Sequence, residues 1–184
     1  YSADGSNRVY KTCSEGSQTI LYDAAGNLTD DHGVTYTWDA EGHMAAVDST
    51  TLTYDALGRM VEQNRSGVYT QIVYEPLGGK LALLNGGTLS KAFVALPGGA
   101  TAVYAGTSLS YYRHADWLGS SRFASTPTRT LRYDGAYAPY GENYAETGTT
   151  DRSFTGQNQD TVGSGSYPLY DFLYREYHPV HGRW

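Results

Sequence analysis

The side chains best suited to chemistry here are five histidines, one cysteine and nineteen acidic residues, and their spacing decides what they can do together. Two pairings are tight in sequence: His114 two residues before Asp116, and His178 three before His181. Residues two apart on a strand share a face, so His114 and Asp116 are placed to meet a cation together. A zinc site asks for three or four ligands, however, and the lone thiol, Cys13, is distant in sequence. The pair therefore reads as a hydrogen-bonded His–Asp contact that fixes a turn, and neither metal nor cofactor is expected. Ser120 follows Gly119 without the Gly-x-Ser-x-Gly elbow that exposes a nucleophile. Gly78-Gly79, Gly86-Gly87 and Gly98-Gly99 lack the Gly-Lys-(Ser/Thr) ending of a phosphate loop, and read as bulges and bends in a twisted sheet. No catalytic residue is expected.

The most regular acids belong to a repeat. Tyr22-Asp23, Trp38-Asp39 and Tyr54-Asp55 are followed by Gly26, Gly42 and Gly58, and a degenerate copy runs from Tyr74-Glu75 to Gly78. The glycines are spaced by 16, 16 and 20 residues, the length of one β-hairpin and too short for a helix pair. Tyr133-Asp134-Gly135 is a weaker echo. Before each turn the chain alternates: Val34, Tyr36 and Trp38 point one way, Thr35, Thr37 and Asp39 the other. Ile20 with Tyr22, Leu52 with Tyr54, Ile72 with Tyr74 and Leu131 with Tyr133 follow the same rule. Period two marks a strand with one buried face. An Asp at the first turn position accepts a hydrogen bond from an amide two residues on, and Gly supplies positive φ, so the motif predicts a type I turn with a glycine bulge. One carboxylate per turn shapes that turn.

The elements that position these residues are accordingly strands. Residues 18–140 predict ten to fourteen of them at ordinary strand length. That is a sheet roughly 50–65 Å wide at about 4.8 Å per strand. Tyr22, Tyr36, Tyr54, Tyr74 and Tyr133 keep phase with Ile, Val and Leu and are expected to line the inner face. Tyr111, Tyr112, Tyr137, Tyr140 and Tyr144 fall outside that phase and are the candidate sugar contacts, since an aromatic face stacks on a sugar ring. Residues 143–166, polar and glycine-rich, read as a long surface excursion. A single layer buries one face only by curling, and it leaves two edges open. It must therefore be part of a longer shell, close into a small barrel, or pair edge to edge with further copies of itself as a fibre.

Composition removes other classes. The net charge is −6, with only three lysines, Lys11, Lys80 and Lys91, so the basic stripe of a nucleic-acid binder is missing. No apolar run approaches the ~18 residues that span a bilayer. Tyr1-Ser2-Ala3-Asp4-Gly5 has no signal-peptide pattern and reads as an internal start. Eighteen tyrosines and a charged fraction of 17% argue against disorder.

The repeat unit resembles the YD repeats of bacterial Rhs proteins and animal teneurins. The C-terminal half resembles the Rhs-associated core, motif by motif and in the family's order. His114, Asp116, Leu118, Gly119, Ser120 and Arg122 match its opening signature. Pro139 and Gly141 match its Tyr-x-Pro-(Phe/Tyr)-Gly element, and Phe154 and Gly156 its Phe-Thr-Gly element. Arg175, Tyr177, Pro179, Gly182, Arg183 and Trp184 match its Tyr-x-Arg-x-Tyr-x-Pro-x-x-Gly-Arg-(Trp/Phe) stretch, with His178 where the family commonly has Asp. The resemblance implies an all-β fold, a long antiparallel hairpin sheet curling as part of a β-shell. It divides the chain into a partial repeat (1–19), YD repeats (20–82), a β-rich bridge (83–113) and an associated core, incomplete at its C-terminus (114–184). It implies a secreted or cell-surface bacterial scaffold, not an enzyme, whose partners are the rest of the shell and an enclosed or displayed C-terminal toxin. The family's self-cleavage residues are expected beyond Trp184. Glycan adhesion, self-assembly through edge strands, and membership of a self-cleaving core are the alternatives.

Overall fold

The computed structural model describes residues 2–3, 9–12, 18–31, 33–151, 153–160, 169–172, 176–179 and 182. Cys13, Arg175, His181, Arg183 and Trp184, singled out above, lie outside the described residues. Among those described there is no α-helix, only a 3₁₀ turn at Pro97–Gly99. The first strands are β1 (Ser2–Ala3), β2 (Val9–Thr12), β3 (Gln18–Tyr22), β4 (Leu28–Asp31), β5 (Val34–Trp38) and β6 (Met44–Val47). Next come β7 (Thr50–Tyr54), β8 (Met60–Arg65), β9 (Val68–Tyr74), β10 (Lys80–Asn85) and β11 (Thr88–Ala95). The sheet ends with β12 (Ala100–Ala105), β13 (Ser108–Ala115), β14 (Ser121–Ser125), β15 (Leu131–Tyr137) and β16 (Asn143–Gly148). These sixteen strands form one antiparallel sheet in sequence order, so every connection is a hairpin. Strands continue through positions 83 and 114 without a break. β1 and β16 are the two ends of the order and do not pair with each other, so the closed barrel is excluded and the sheet is open.

Two kinds of turn alternate along the ribbon. At one rim the repeats make the predicted bend. In the second copy the Asp39 amide donates to the His43 carbonyl at 2.9 Å and the Gly42 amide to the Asp39 carbonyl at 3.2 Å. The Asp39 carboxylate accepts from the amides of Glu41 and His43 at 2.9 and 2.8 Å. Asp55 repeats this with Leu57 and Arg59. Gly42 and Gly58 take φ of 83° and 73°, where a Cβ is penalised. The register slips by one residue at Thr37/Trp38 and again at Thr53/Tyr54, which is the bulge. The opposite rim uses two-residue turns, and Ser66-Gly67 and Gly86-Gly87 have positive φ at both positions, the geometry that matches strand twist.

Consecutive hairpins are joined by a bond that spacing alone did not predict. The Trp38 indole donates to the Leu28 carbonyl at 2.6 Å, the Tyr54 hydroxyl to the Met44 carbonyl at 2.9 Å, and the Tyr74 hydroxyl to the Met60 carbonyl at 2.7 Å. Each acceptor follows the previous repeat's bend, so the aromatic of one repeat holds the Leu or Met of the one before. Apolar side chains of the same face complete the contact. Val34, Tyr36, Met44, Val47, Leu52, Met60 and Ile72 form one buried cluster with Trp38, Tyr54 and Tyr74 packed against it. Phe93, Val103, Tyr111, Ala124 and Tyr133 form a second, and Leu83 touches both. Tyr22 is half-buried.

Three expectations need correction. Residues 143–166 are not a simple excursion, because Asn143–Gly148 is the sixteenth strand of the sheet. Tyr133-Asp134-Gly135 is not a bend but the middle of β15, where Tyr133 is buried and Asp134 pairs across the outer face with Arg122. Leu131 lies at the start of that strand beside a register slip and is exposed, so it does not share the burial of Tyr133.

Replacing Tyr54 by Phe keeps the packing and removes one bond, so urea unfolding is expected to show a loss of about 1 kcal/mol. The bends also carry an acid sensitivity. The carboxyl of Asp23 is held below its ordinary value chiefly by the Asn27 side-chain amide, that of Asp39 by the His43 backbone amide and that of Asp55 by the Arg59 backbone amide. A lowered folded value means this support is complete above the ordinary 3.8 and is lost as pH falls through the folded value. The stability of Asp55→Asn is therefore expected to fall less steeply than that of the wild type between about pH 5 and pH 2, measured by urea midpoints.

Candidate functional site

Chemistry-bearing residues concentrate where the C-terminal segment meets the sheet. That segment forms a second small sheet from β17 (Ser153–Phe154), β18 (Gln157–Asp160), β19 (Leu169–Asp171) and β20 (Glu176–Tyr177). Leu169 enters the first apolar cluster, so the segment packs on the buried face.

Of the residues that opened the associated-core resemblance, Gly119 and Ser120 meet this segment. Asp116 makes the bend of the sequence repeats once more, accepting from the amides of Leu118 and Ser120 at 2.9 and 2.8 Å. His114 does not bond Asp116, as had been expected. Its ring contacts the Ser125 hydroxyl at 3.1 Å and stacks on Phe123, because the register slip at His114/Ala115 separates the pair. The tip of the bend meets the segment: the Gly156 amide donates to the Gly119 carbonyl at 3.1 Å, and the Thr155 amide to the Ser120 hydroxyl at 3.1 Å. A Cβ on Gly119 would stand a tight 3.0 Å from the Gly156 nitrogen on a backbone of φ 90°, so glycine favours this approach. Ser120 is buried as a bonding partner, not exposed as a nucleophile. Leu118 and the neighbouring Trp117 face solvent.

A second contact lies at the bend after β15. Phe154 packs against Tyr137, Tyr170 and Tyr177, and a Cβ on Gly141 would fall 2.6 Å from its ring. The hydroxyls of Tyr170 and Tyr177 donate to the carbonyls of Gly141 and Tyr140 at 2.9 and 3.0 Å. His178 and Pro179 are buried beside them, while Pro139 and Gly182 are exposed.

The third contact is ionic. Asp151 pairs with Lys91, accepts from the Tyr111 hydroxyl at 2.6 Å, and donates its own amide to the same hydroxyl at 3.1 Å. The Arg132 guanidinium lies 4.7 Å above the Tyr111 ring. Burial, with the Asp151 charge second, pushes the Tyr111 hydroxyl up to about 12. Tyr111 is therefore withdrawn as a sugar contact: it is buried and its hydroxyl is engaged. Tyr112 and Tyr137 are half-buried, and Tyr140 and Tyr144 are exposed. Sequence reasoning missed Asp151, Lys91 and Leu169, which no repeat phase marks.

Asp39, Glu41 and His43 bring three ligand atoms within 4.8 Å of one another, a grouping that the sequence reading did not single out. One Asp39 oxygen is committed to the two bend amides and the other faces the His43 ring at 3.2 Å, so the trio serves the bend. No described helix is long and apolar enough to cross a membrane.

No known family matches the sequence, and no curated protein does. Solved structures do match in fold. The TcdB2-TccC3 crystal structure aligns with a TM-score of 0.63 at 19% identity, over 89% of this chain and 10% of that one. The TcdB2-TccC3-Cdc42 crystal structure aligns with a TM-score of 0.51 at 16% identity, over 93% of this chain and 12% of that one. The chain thus spans about a tenth of the length of these neighbours, and the likeness is one of fold.

Tyr111→Phe removes the donor to a half-buried carboxylate and is expected to cost about 1–3 kcal/mol at neutral pH. Because the folded value of Tyr111 is raised, its contribution is complete below the ordinary 10 and is lost as pH rises toward about 12. Urea midpoints at rising pH are expected to fall more steeply for the wild type than for the variant.

Proposed function

We propose that this chain is a non-catalytic wall segment of a larger Rhs-type β-shell, secreted or at the bacterial cell surface, that encloses or displays a C-terminal toxin. The observation that carries the reading is the open, sequentially ordered sheet: sixteen hairpin-linked strands with one apolar face and two unclosed edges. Such a layer is stable only when that face is covered and its edges continue or are protected. The C-terminal segment covers part of the face, as the Leu169 contact illustrates. The rim supports the same reading. Leu57, Leu77, Trp117 and Tyr140 occupy the tips of bends on one rim and are 68%, 95%, 89% and 62% exposed. An apolar row of that length is unusual for a surface facing only water. The fold likeness to TcdB2-TccC3, in which the matched part is a tenth of a much longer chain, fits a wall segment. The partners are then the rest of the shell and its cargo, and these residues position and cover without cutting.

A fibre is the second reading, favoured by β16, an edge strand whose Tyr144 is 80% exposed. Cryo-electron microscopy of the full-length protein containing this chain tests both. A hollow shell holding these strands as a continuous stretch of wall is expected. A solid fold without an interior space, or filaments grown through β16, would contradict the shell. Intact mass of the purified chain is expected to stay constant on prolonged incubation, and the appearance of defined fragments without added protease would contradict the non-catalytic assignment.

A further inference from the structure

The hairpin tip between β8 and β9 carries a sequence that the wall reading leaves unused. In Glu62-Gln63-Asn64-Arg65-Ser66 an asparagine precedes a hydroxyl residue by two positions, the acceptor pattern for an N-linked glycan on an exported protein. Glu62, two positions before the asparagine, adds a charge that a cationic pocket on a transferase can hold. The sequence has one other Asn-x-(Ser/Thr) triplet, Asn27-Leu28-Thr29, with Ala25 in the place of the acid.

The fold separates the two. The Asn27 side-chain nitrogen donates to Asp23 Oδ2 at 2.9 Å, its backbone amide donates to Oδ1 at 2.8 Å, and the Leu28 carbonyl after it holds the Trp38 indole. That asparagine is committed to its bend. Gln63 stands opposite the buried core residue Leu52, and side chains alternate along a strand, so Asn64 lies on the uncovered face. Its neighbours across the sheet are Thr51 and the exposed Tyr69. The Asn64 Oδ1 accepts from the Gly67 amide at 2.8 Å, which fixes the carboxamide, and its nitrogen makes no hydrogen bond among the described residues. Ser66 is exposed at the tip with a φ of 52°. The tip belongs to the rim opposite the bends, away from the contacts at Gly119 and Gly141.

We propose that Asn64 is a glycan acceptor, taking an N-linked oligosaccharide from a lipid-pyrophosphate donor, and that Asn27 is not. In the transfer Asn64 Nδ2 forms a bond to the anomeric carbon of the first sugar. The bond from that carbon to the pyrophosphate oxygen breaks, the lipid pyrophosphate leaves with the electron pair, and Nδ2 gives up one proton. The Ser66 hydroxyl and the Glu62 carboxylate are the groups that the transferase grips. Asn27 fails in either state of the chain: unfolded it has no acid two positions before it, and folded its nitrogen is held by Asp23. A glycan on Asn64 projects from the uncovered face, with the Tyr69 ring beside its first sugar as the cross-strand neighbour. That the chain meets a transferase rests on the secretion proposed above; the acceptor itself does not.

Peptide mass spectrometry tests it on the whole chain, exported to the periplasm of a bacterial host that supplies an oligosaccharyltransferase and its lipid-linked glycan. The peptide holding Asn64 is expected to gain the mass of the supplied glycan, and the peptide holding Asn27 to stay bare. Asn64→Gln and Ser66→Gly are each expected to abolish the gain. Glu62→Gln is expected to reduce it by about tenfold, as the loss of a charge-assisted contact implies. Glycine suits the positive φ of position 66, so Ser66→Gly separates loss of the acceptor from loss of the fold. The urea midpoint of the glycosylated chain is expected to equal or exceed that of the bare chain. A bare Asn64, a glycan on Asn27 instead, undiminished transfer to Ser66→Gly or Glu62→Gln, or a midpoint lowered by the glycan would overturn the proposal and leave the wall reading standing. Full-length protein retained in the cytoplasm of its own cell would contradict the secretion instead.

Discussion

A hydrogen bond from one repeat's aromatic to the backbone of the repeat before it is the constraint on which the ribbon depends. A two-stranded hairpin is marginal in water, and stacking many of them edge to edge gives each only backbone ladders and half a buried face. The bonds from Trp38 to Leu28, Tyr54 to Met44 and Tyr74 to Met60 add a fixed tie across each junction. They require an aromatic with a polar tip, one position before the acid, and a residue at the far side of the preceding bend whose own side chain is buried, as Met44 and Met60 are, or partly buried, as Leu28 is. The recurrence of Tyr or Trp at one end of the motif and Leu or Met at the other is the record of that tie.

The bends set the register that makes the tie reach. A glycine bulge advances one strand by a single residue and turns the following side chains back onto the same face. The acid at the first position saturates the bend amides, yet it is not indispensable to the geometry. Ala138 and Gly141 make the same pair of backbone bonds with no carboxylate. Glycine at positive φ is the common element, and where a bend also meets the C-terminal segment, as at Gly119 and Gly141, the missing Cβ serves packing as well. One turn type thus does two tasks, closing hairpins in the first half of the chain and holding the segment that covers them in the second.

Alternation and turn chemistry were enough to read the strands, the bends and the buried face, because each rests on contacts a few residues apart. Val34, Tyr36, Leu52 and Ile72 are buried as their phase predicts. The failures lie where distant segments decide. Tyr133-Asp134-Gly135 has the residues of a bend, but flanking pairings carry β15 straight through it. Tyr111 looked available because it broke the repeat phase, whereas Asp151, forty residues away, claims its hydroxyl. His114 and Asp116 were separated by a slip that only the neighbouring strand imposes. The comparison with TcdB2-TccC3 adds that the sheet is alike in fold to about a tenth of a far longer chain, which no local pattern supplies.

Native-state hydrogen exchange of the purified chain measures the central claim, that ties between repeats make the hairpins one cooperative ribbon. Amides from β3 to β9 are expected to share a single opening free energy, with their exchange converging on the global value as denaturant is added. Hairpins that open one at a time, each with its own lower free energy, would contradict it.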